Sequence, residues 1–311
     1  MPLAVGPAMS ASGGGEREVF IATLIAAGRL SSGVVSAAQD RLASVGCVPV
    51  HAGWIDEGDA ADIGFGVHPD HARAALEGSY QGVDVVVQNA DGRRKALLIA
   101  DMDSTMIAQE CIDELADYAG LKPEIAAVTE RAMRGELDFA AALDARVALL
   151  KGLDEGAIER CLAERVTLTP GARTLVGTTR AMGGLTILVS GGFTRFAEPV
   201  GAMIGFDRVT ANRLTIADGR LTGRVETPIV DSATKERTLV DALKERHLHL
   251  GASLAVGDGA NDLAMIRAAG LGVAYRAKPV VAAAASARID HNDLTALLWA
   301  QGIPRREWAL D

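Results

Sequence analysis

Two periods of apolar spacing run along this chain, and the places where they change divide it. From Val19 the run Val-Phe-Ile-Ala-Thr-Leu-Ile predicts a strand. After the turn-like Gly28 to Gly33, Val34 to Val45 carries apolar residues at helical spacing. Val48 to Trp54 and Ala61 to Phe65 predict two short strands around an acidic turn, Pro69 to Tyr80 a helix, and Val83 to Gln88 a closing strand. The order βαββαβ predicts a small α+β sandwich of the split-βαβ kind. Polar, glycine-containing Asn89 to Arg94 marks its boundary.

From Ala96 the texture changes. Ala96 to Ala100 contains no polar residue and predicts a strand buried on both faces, as in a parallel sheet under helices. Leu185 to Val189 and Leu254 to Val256 have the same build. From Ile107 to Leu168 no strand is predicted. Glu110 to Tyr118, Glu124 to Gly135, Asp138 to Lys151 and Asp154 to Arg165 read as helices. That stretch is too long for a crossover and predicts an inserted helical cap that shields a crevice from water. A helix follows from Gly171 to Met182, and another runs from Phe193 to about Gly201. Val209 to Leu214 and Leu221 to Val225 predict an antiparallel pair turning at Asp218-Gly219. Ala233 to Arg246 and Asn261 to Ala268 predict helices, Gly270 to Ala274 a strand, and Pro279 to Ala287 and Leu294 to Gln301 two last helices. The expected fold class is α/β, a Rossmann-like parallel sheet with an inserted helical cap, preceded by the small α+β unit. A length of 311 residues suits two such units.

Three of the apolar strands run straight into polar chemistry. The first ends in Asp101-Met-Asp103-Ser-Thr105, the second in Ser190-Gly-Gly192, the third in Gly257-Asp-Gly-Ala-Asn-Asp262. Open α/β sheets place their ligands at the carboxyl ends of strands. Carboxylates this close repel, and a cation or a division of labour between nucleophile and proton carrier offsets that. Lys235 heads a predicted helix between the second and third stretches. Brought to one crevice, these groups offer oxygens for a hard divalent cation, a lysine and N–H groups for an anion, and a carboxylate free to attack. The inventory suits phosphoryl transfer through an aspartyl-phosphate.

The same residues resemble, in order, the four motifs of the haloacid-dehalogenase-type phosphatases. The text around them is similar to the phosphoserine phosphatases: Gln109-Glu-Cys-Ile-Asp-Glu-Leu-Ala116, Thr169-Pro-Gly171, Ala211-Asn-Arg-Leu, Pro228-Ile-Val-Asp231 and Gly270-Leu-Gly-Val-Ala-Tyr-Arg-Ala-Lys-Pro279. The resemblance covers roughly Ala96 to Asp293. It implies hydrolysis of O-phospho-L-serine to L-serine and phosphate, as the last step of L-serine biosynthesis. Asp101 becomes the nucleophile and Asp103 the proton donor and acceptor, roles that spacing alone would permit swapped. Mg²⁺ is implied on Asp101, Asp258 and the backbone carbonyl of Asp103, with Asp262 a weak ligand. Ser190, the Gly191 N–H, Lys235 and Asn261 are implied to hold phosphate. Glu110 would take the substrate ammonium and Arg146 its carboxylate, with Met133 and Phe139 closing the pocket. A phosphatase of another small ester, or phosphotransfer to homoserine, stays open, since any alcohol reaching the aspartyl-phosphate competes with water. The first unit resembles, at low specificity, the ACT-type regulatory modules. These often bind amino acids or pair into dimers, so L-serine as regulator and a homodimer are its implied partners.

The expected division is a disordered tail at 1–15, an ACT-like unit at 16–90, and a phosphatase unit at 95–311 with its cap at about 107–168. A net charge of −9 without a Lys/Arg run argues against nucleic-acid and anionic-membrane partners. Three cysteines without a CxxC predict reduced thiols. No apolar run approaches the ~20 residues of a membrane span. A cytoplasmic protein is the expectation.

Overall fold

The computed structural model describes residues 19–133 and 136–309, with the backbone alone for 132 and 133. The tail expected at 1–15 lies outside the described residues. The first sheet has four antiparallel strands in the order β2-β3-β1-β4. Its strands are β1 (Phe20–Ile25), β2 (Pro49–Asp56), β3 (Ala60–Phe65) and β4 (Asp84–Asn89), with α1 (Ser32–Ser44) and α2 (Pro69–Leu76) between them. Ser31 caps α1 by accepting the Val34 N–H, and a proline opens α2, where a missing N–H costs nothing. Leu24, Leu42, Ile63, Phe65 and Leu76 form the centre of its core.

Six parallel strands make the second sheet, in the order β12-β11-β10-β5-β6-β7. They are β5 (Leu97–Ala100), β6 (Leu185–Phe193), β7 (Arg208–Asn212), β10 (Ser253–Gly257), β11 (Leu271–Tyr275) and β12 (Ala287–Ile289). Every residue of β5, β10 and β11 is buried, which is why these strands carry no polar alternation. The helices α7 (Ala172–Ala181), α8 (Thr194–Ile204), α9 (Ser232–Glu245), α10 (Leu263–Ala268), α11 (Pro279–Ala284) and α12 (Ala296–Ala300) complete this unit.

The cap consists of α3 (Cys111–Tyr118), α4 (Lys122–Met133), α5 (Phe139–Leu149) and α6 (Gly156–Arg165). The chain enters and leaves it through a bridge between Ile107 and Leu168, with Ala108 N–H donating to Thr167 O and Thr169 N–H to Met106 O, both at 3.0 Å.

Two expectations are corrected. The segment expected as one strand from Val209 to Leu214 is split. Its first part is β7 in the parallel sheet; its second, β8 (Leu214–Ala217), pairs antiparallel with β9 (Arg220–Val225). The turn at Arg213 sends the hairpin away from the sheet and onto the cap, where Gly152 N–H donates to Leu221 O and Leu221 N–H to Leu153 O. The helix expected from Pro279 to Ala287 stops at Ala284, and Ala287 begins β12 instead, paired with Val273.

The first unit is fastened to the second by buried polar groups. The Asp84 carboxylate accepts the N–H groups of Asp290, His291 and Asn292, and Asn292 Nδ2 also donates to Ile25 O. Among the described residues no helix is long and apolar enough to cross a membrane.

Candidate active site

Register brings the site together. Ala100 pairs with Val256 on one side and Leu188 on the other. The next residues of the three strands, Asp101, Gly257-Asp258 and Val189-Ser190, therefore emerge at one edge, the carboxyl edge of the sheet. Asp231 accepts the Thr234 N–H at 2.8 Å and starts α9, so Lys235 sits in the first turn of that helix. After Asp101 the chain makes a wide loop closed by Ile107 N–H donating to Met102 O. Ser104 adopts φ 54° within it, which lifts the Asp103 region off the strand.

A cavity of ≈ 110 Å³ opens here. Of the expected residues it is lined by Asp101, Asp103, Ser190, Gly191, Asp258 and Asn261 from the sheet edge, and by Glu110, Phe139 and Arg146 from the cap. Lys235 and Asp262 do not line it; they lie beneath its floor, both fully buried. The Met133 side chain lies outside the described residues. Lys235 Nζ donates to Asp101 Oδ1 at 2.5 Å and to Asp262 Oδ1 at 2.7 Å. Asp262 Oδ2 accepts the Gly259 N–H at 3.0 Å. Both Asp262 oxygens are thus engaged, while Asp101 Oδ2 is left for other chemistry.

Electrostatics follow from this packing. Burial, then the Asp262 charge, pushes the Asp101 carboxyl well above the usual range, and Lys235 opposes both. Asp258 is pushed up to about 6 by burial and Asp262. Asp103 is pushed up to about 7 by burial and Glu110; nearby Cys111 acts the other way without outweighing them. Burial alone would discharge Lys235, but Asp101 and Asp262 hold it protonated, and its net shift is upward. Asp103 Oδ1 is buried and has no hydrogen-bond partner among the described residues, so it is available to a substrate atom.

Asp101, Asp258 and Asp262 each offer a carboxylate oxygen, all within 4.8 Å of one another. Hard oxygen donors at this spacing, two of them raised in pKa by burial and then by Asp262, fit a small divalent cation. Of the three, Asp262 is the least free, because Lys235 and the Gly259 N–H occupy it.

On the cap side, Glu110 accepts a 2.7 Å hydrogen bond from Ser104 Oγ. The Arg146 guanidinium donates only to Ala142 O and forms no ion pair among the described residues. A half-buried arginine without a carboxylate partner is poised for an anion. Phe139 closes on the phosphate-type loop so tightly that a Cβ on Gly191 would lie 3.2 Å from its Cζ. Gly257 and Gly259 have no left-handed backbone. Their reason is space: a Cβ on Gly257 would lie 2.5 Å from Asp262 Cγ.

Three polar residues at the site, beyond those expected, bear on its chemistry. Lys278 lines the cavity three residues beyond β11, and the position after a parallel strand is the signal that points to it. Thr105, fully buried, donates to Asp258 Oδ1 at 3.4 Å. Asn212 contacts the Ser190 loop from behind, and no spacing in the sequence signals that.

Residues 98–267 match the haloacid dehalogenase-like hydrolase model. A phosphoserine phosphatase from Streptomyces coelicolor is 47% identical over 246 residues, which are 78% of this chain and 60% of that one. The chain thus spans about three-fifths of that relative's length. A solved HAD family hydrolase from Salmonella enterica serovar Typhi superposes with a TM-score of 0.81 at 29% identity, covering 91% of this chain and 98% of its own. A phospho-aspartyl intermediate analogue of phosphoserine phosphatase superposes with a TM-score of 0.62 at 37% identity, covering 66% and 98%.

Proposed function

The chain belongs to the haloacid dehalogenase-like hydrolase family, and on that premise we propose that it is a Mg²⁺-dependent phosphoserine phosphatase acting in L-serine biosynthesis. One observation carries the reading. A single cavity has phosphoryl-transfer groups on its floor and an unpaired arginine beside a glutamate on its roof. The floor suits a phosphate; the roof suits the carboxylate and ammonium of an amino acid.

With Lys235 holding Oδ1, Asp101 attacks phosphorus through Oδ2. The bond from phosphorus to the serine oxygen breaks as Asp103 delivers its proton to that oxygen. Asp103, now a carboxylate, takes a proton from a water that attacks the aspartyl-phosphate; the bond from phosphorus to Asp101 breaks and inorganic phosphate leaves. A carboxyl group near pH 7 suits both halves of this exchange. Ser190, the Gly191 N–H and Asn261 hold the phosphoryl oxygens, and Lys235 balances charge from below. Asp101, Asp258 and the Asp103 carbonyl would hold Mg²⁺, with Asp262 behind them. The ion, when bound, would keep Asp101 ionised and draw charge from the phosphoryl oxygens. The same reading carries a cytoplasmic setting. For the N-terminal unit it carries an ACT-like regulatory role, with L-serine and a second copy of the chain as candidate partners.

The test is phosphate release from O-phospho-L-serine with Mg²⁺ and with a chelator, beside O-phosphothreonine and a phosphoester lacking an amino-acid group. Release is expected to need Mg²⁺ and to prefer phosphoserine. Arg146→Ala should raise KM for phosphoserine roughly 100-fold, the worth of a charge-assisted carboxylate contact of about 3 kcal/mol, and leave the plain ester unaffected. Equal loss on both substrates would remove Arg146 from substrate recognition. Product analysis with homoserine present separates hydrolysis from phosphotransfer.

A further inference from the structure

Two stretches that stand out in the sequence, Ala211-Asn-Arg-Leu and Pro228-Ile-Val-Asp231, supply none of the groups that line the cavity. In the structure they meet at one side chain. Asn212 is buried at 2% exposure. Its Nδ2 donates to Gly191 O at 2.8 Å, and its Oδ1 accepts the Val230 N–H at 2.7 Å.

The place of these bonds matters. β6 and β7 pair regularly up to Val189 and Thr210, and pairing resumes at Phe193 and Asn212. Three residues of β6, Ser190 to Gly192, therefore oppose only Ala211. The loop that faces the phosphate subsite is a bulge, cut off from its ladder. Gly191 and Gly192 have no Cβ, so the peptide between them can rotate at little steric cost. Its N–H donates to Ser190 Oγ at 2.9 Å and its C=O accepts from Asn212. Rotation would break both bonds and free a carbonyl dipole at a site meant for an anion. At its other end Asn212 holds Val230, one residue before Asp231, the cap of the helix that carries Lys235.

We propose that Asn212 is a positioning residue that locks the Gly191-Gly192 peptide and the start of the Lys235 helix in one arrangement, so that phosphate loop and lysine are presented together. This rests on the phosphatase reading of the site, but not on which alcohol the substrate carries.

The experiment compares wild type, Asn212→Ala and the exposed control Arg213→Ala. It measures calorimetric affinity for inorganic phosphate with Mg²⁺, steady-state kinetics on phosphoserine, and Tm. In Asn212→Ala, phosphate affinity and kcat should each fall roughly tenfold or more, as for loss of a preorganised donor set, while Arg213→Ala matches wild type. A merely structural asparagine would lower Tm and the active fraction but leave the phosphate affinity of the folded protein unchanged; that result overturns the proposal. Should Asn212→Ala not fold, labelled wild type decides. A scalar coupling from Asn212 Nδ2 to the Gly191 carbonyl carbon, with the Asn212 amide signals shifting on phosphate binding, supports the lock. Amide signals indifferent to phosphate overturn it. Because phosphate itself is the probe, a wrong substrate would appear only in the phosphoserine kinetics.

Discussion

Asp101→Asn is expected to lower phosphate release from O-phospho-L-serine by roughly 10⁴-fold or more, the scale of losing a catalytic nucleophile, without lowering Tm. The two halves of that expectation have different causes. Asparagine keeps the size of the side chain and an oxygen that can accept from Lys235 Nζ, as Asp101 Oδ1 does at 2.5 Å. It also removes a carboxylate that burial, then repulsion from Asp262 and Asp103, drives upward. The fold should therefore be as stable as wild type or more so. What is lost is the anionic oxygen that attacks phosphorus, because a neutral amide oxygen is a poor nucleophile. Acid-quenched wild type should carry a base-labile phosphoryl group on Asp101, and the variant should carry none. Activity within tenfold of wild type, or a trapped phosphoryl group elsewhere, would transfer the nucleophile's role to another residue, with Asp103 or Asp258 next in line.

The floor of the site was legible because parallel strands write themselves plainly. β5 and β10 are buried on both faces, so each reads as an uninterrupted apolar run, and the first polar residue after the run marks the sheet edge. Asp101, Ser190 and Asp258 could be placed at one crevice on that ground alone. The depth of Lys235 and Asp262 could not. Both are polar in sequence, yet packing puts them below the cavity floor, where each neutralises the other. Asn212 was illegible for a different reason. Its bonds reach Gly191 and Val230, 21 and 18 residues away, and a contact between a side chain and a distant backbone leaves no periodicity. β12 was missed because three residues, Ala-Arg-Ile, are too few to show alternation. The split at Arg213 was missed because β7 and β8 together look like one strand with a normal length.

Lys235→Met is expected to cost both stability and rate, and the two losses should separate. The lysine is fully buried and bridges Asp101 and Asp262. Methionine fills most of the same volume but leaves two buried carboxylates without their cation, a loss of roughly 3–5 kcal/mol in comparable buried pairs. The penalty has a definite pH dependence. Carboxyl groups whose folded pKa lies above the unfolded value bind protons more tightly in the folded state, so stability falls as pH rises from the unfolded value to the folded one. The deficit against wild type should be largest at pH 8 and shrink toward pH 5, as chemical denaturation at several pH values would reveal. Mg²⁺ binding to the folded state should restore part of it. The rate should not follow. A preorganised positive charge under the phosphoryl group is worth roughly 10²-fold or more, and a folded variant still lacks it. The double variant Lys235→Met with Asp262→Asn makes the distinction sharp. Asparagine can keep the acceptor for the Gly259 N–H, now 3.0 Å from Asp262 Oδ2, while removing one of the two stranded charges. Part of the lost stability should return and almost none of the activity. Recovery of both would mean that Lys235 acts only by keeping the fold intact; recovery of neither would mean that Asp262 has a task beyond holding the lysine.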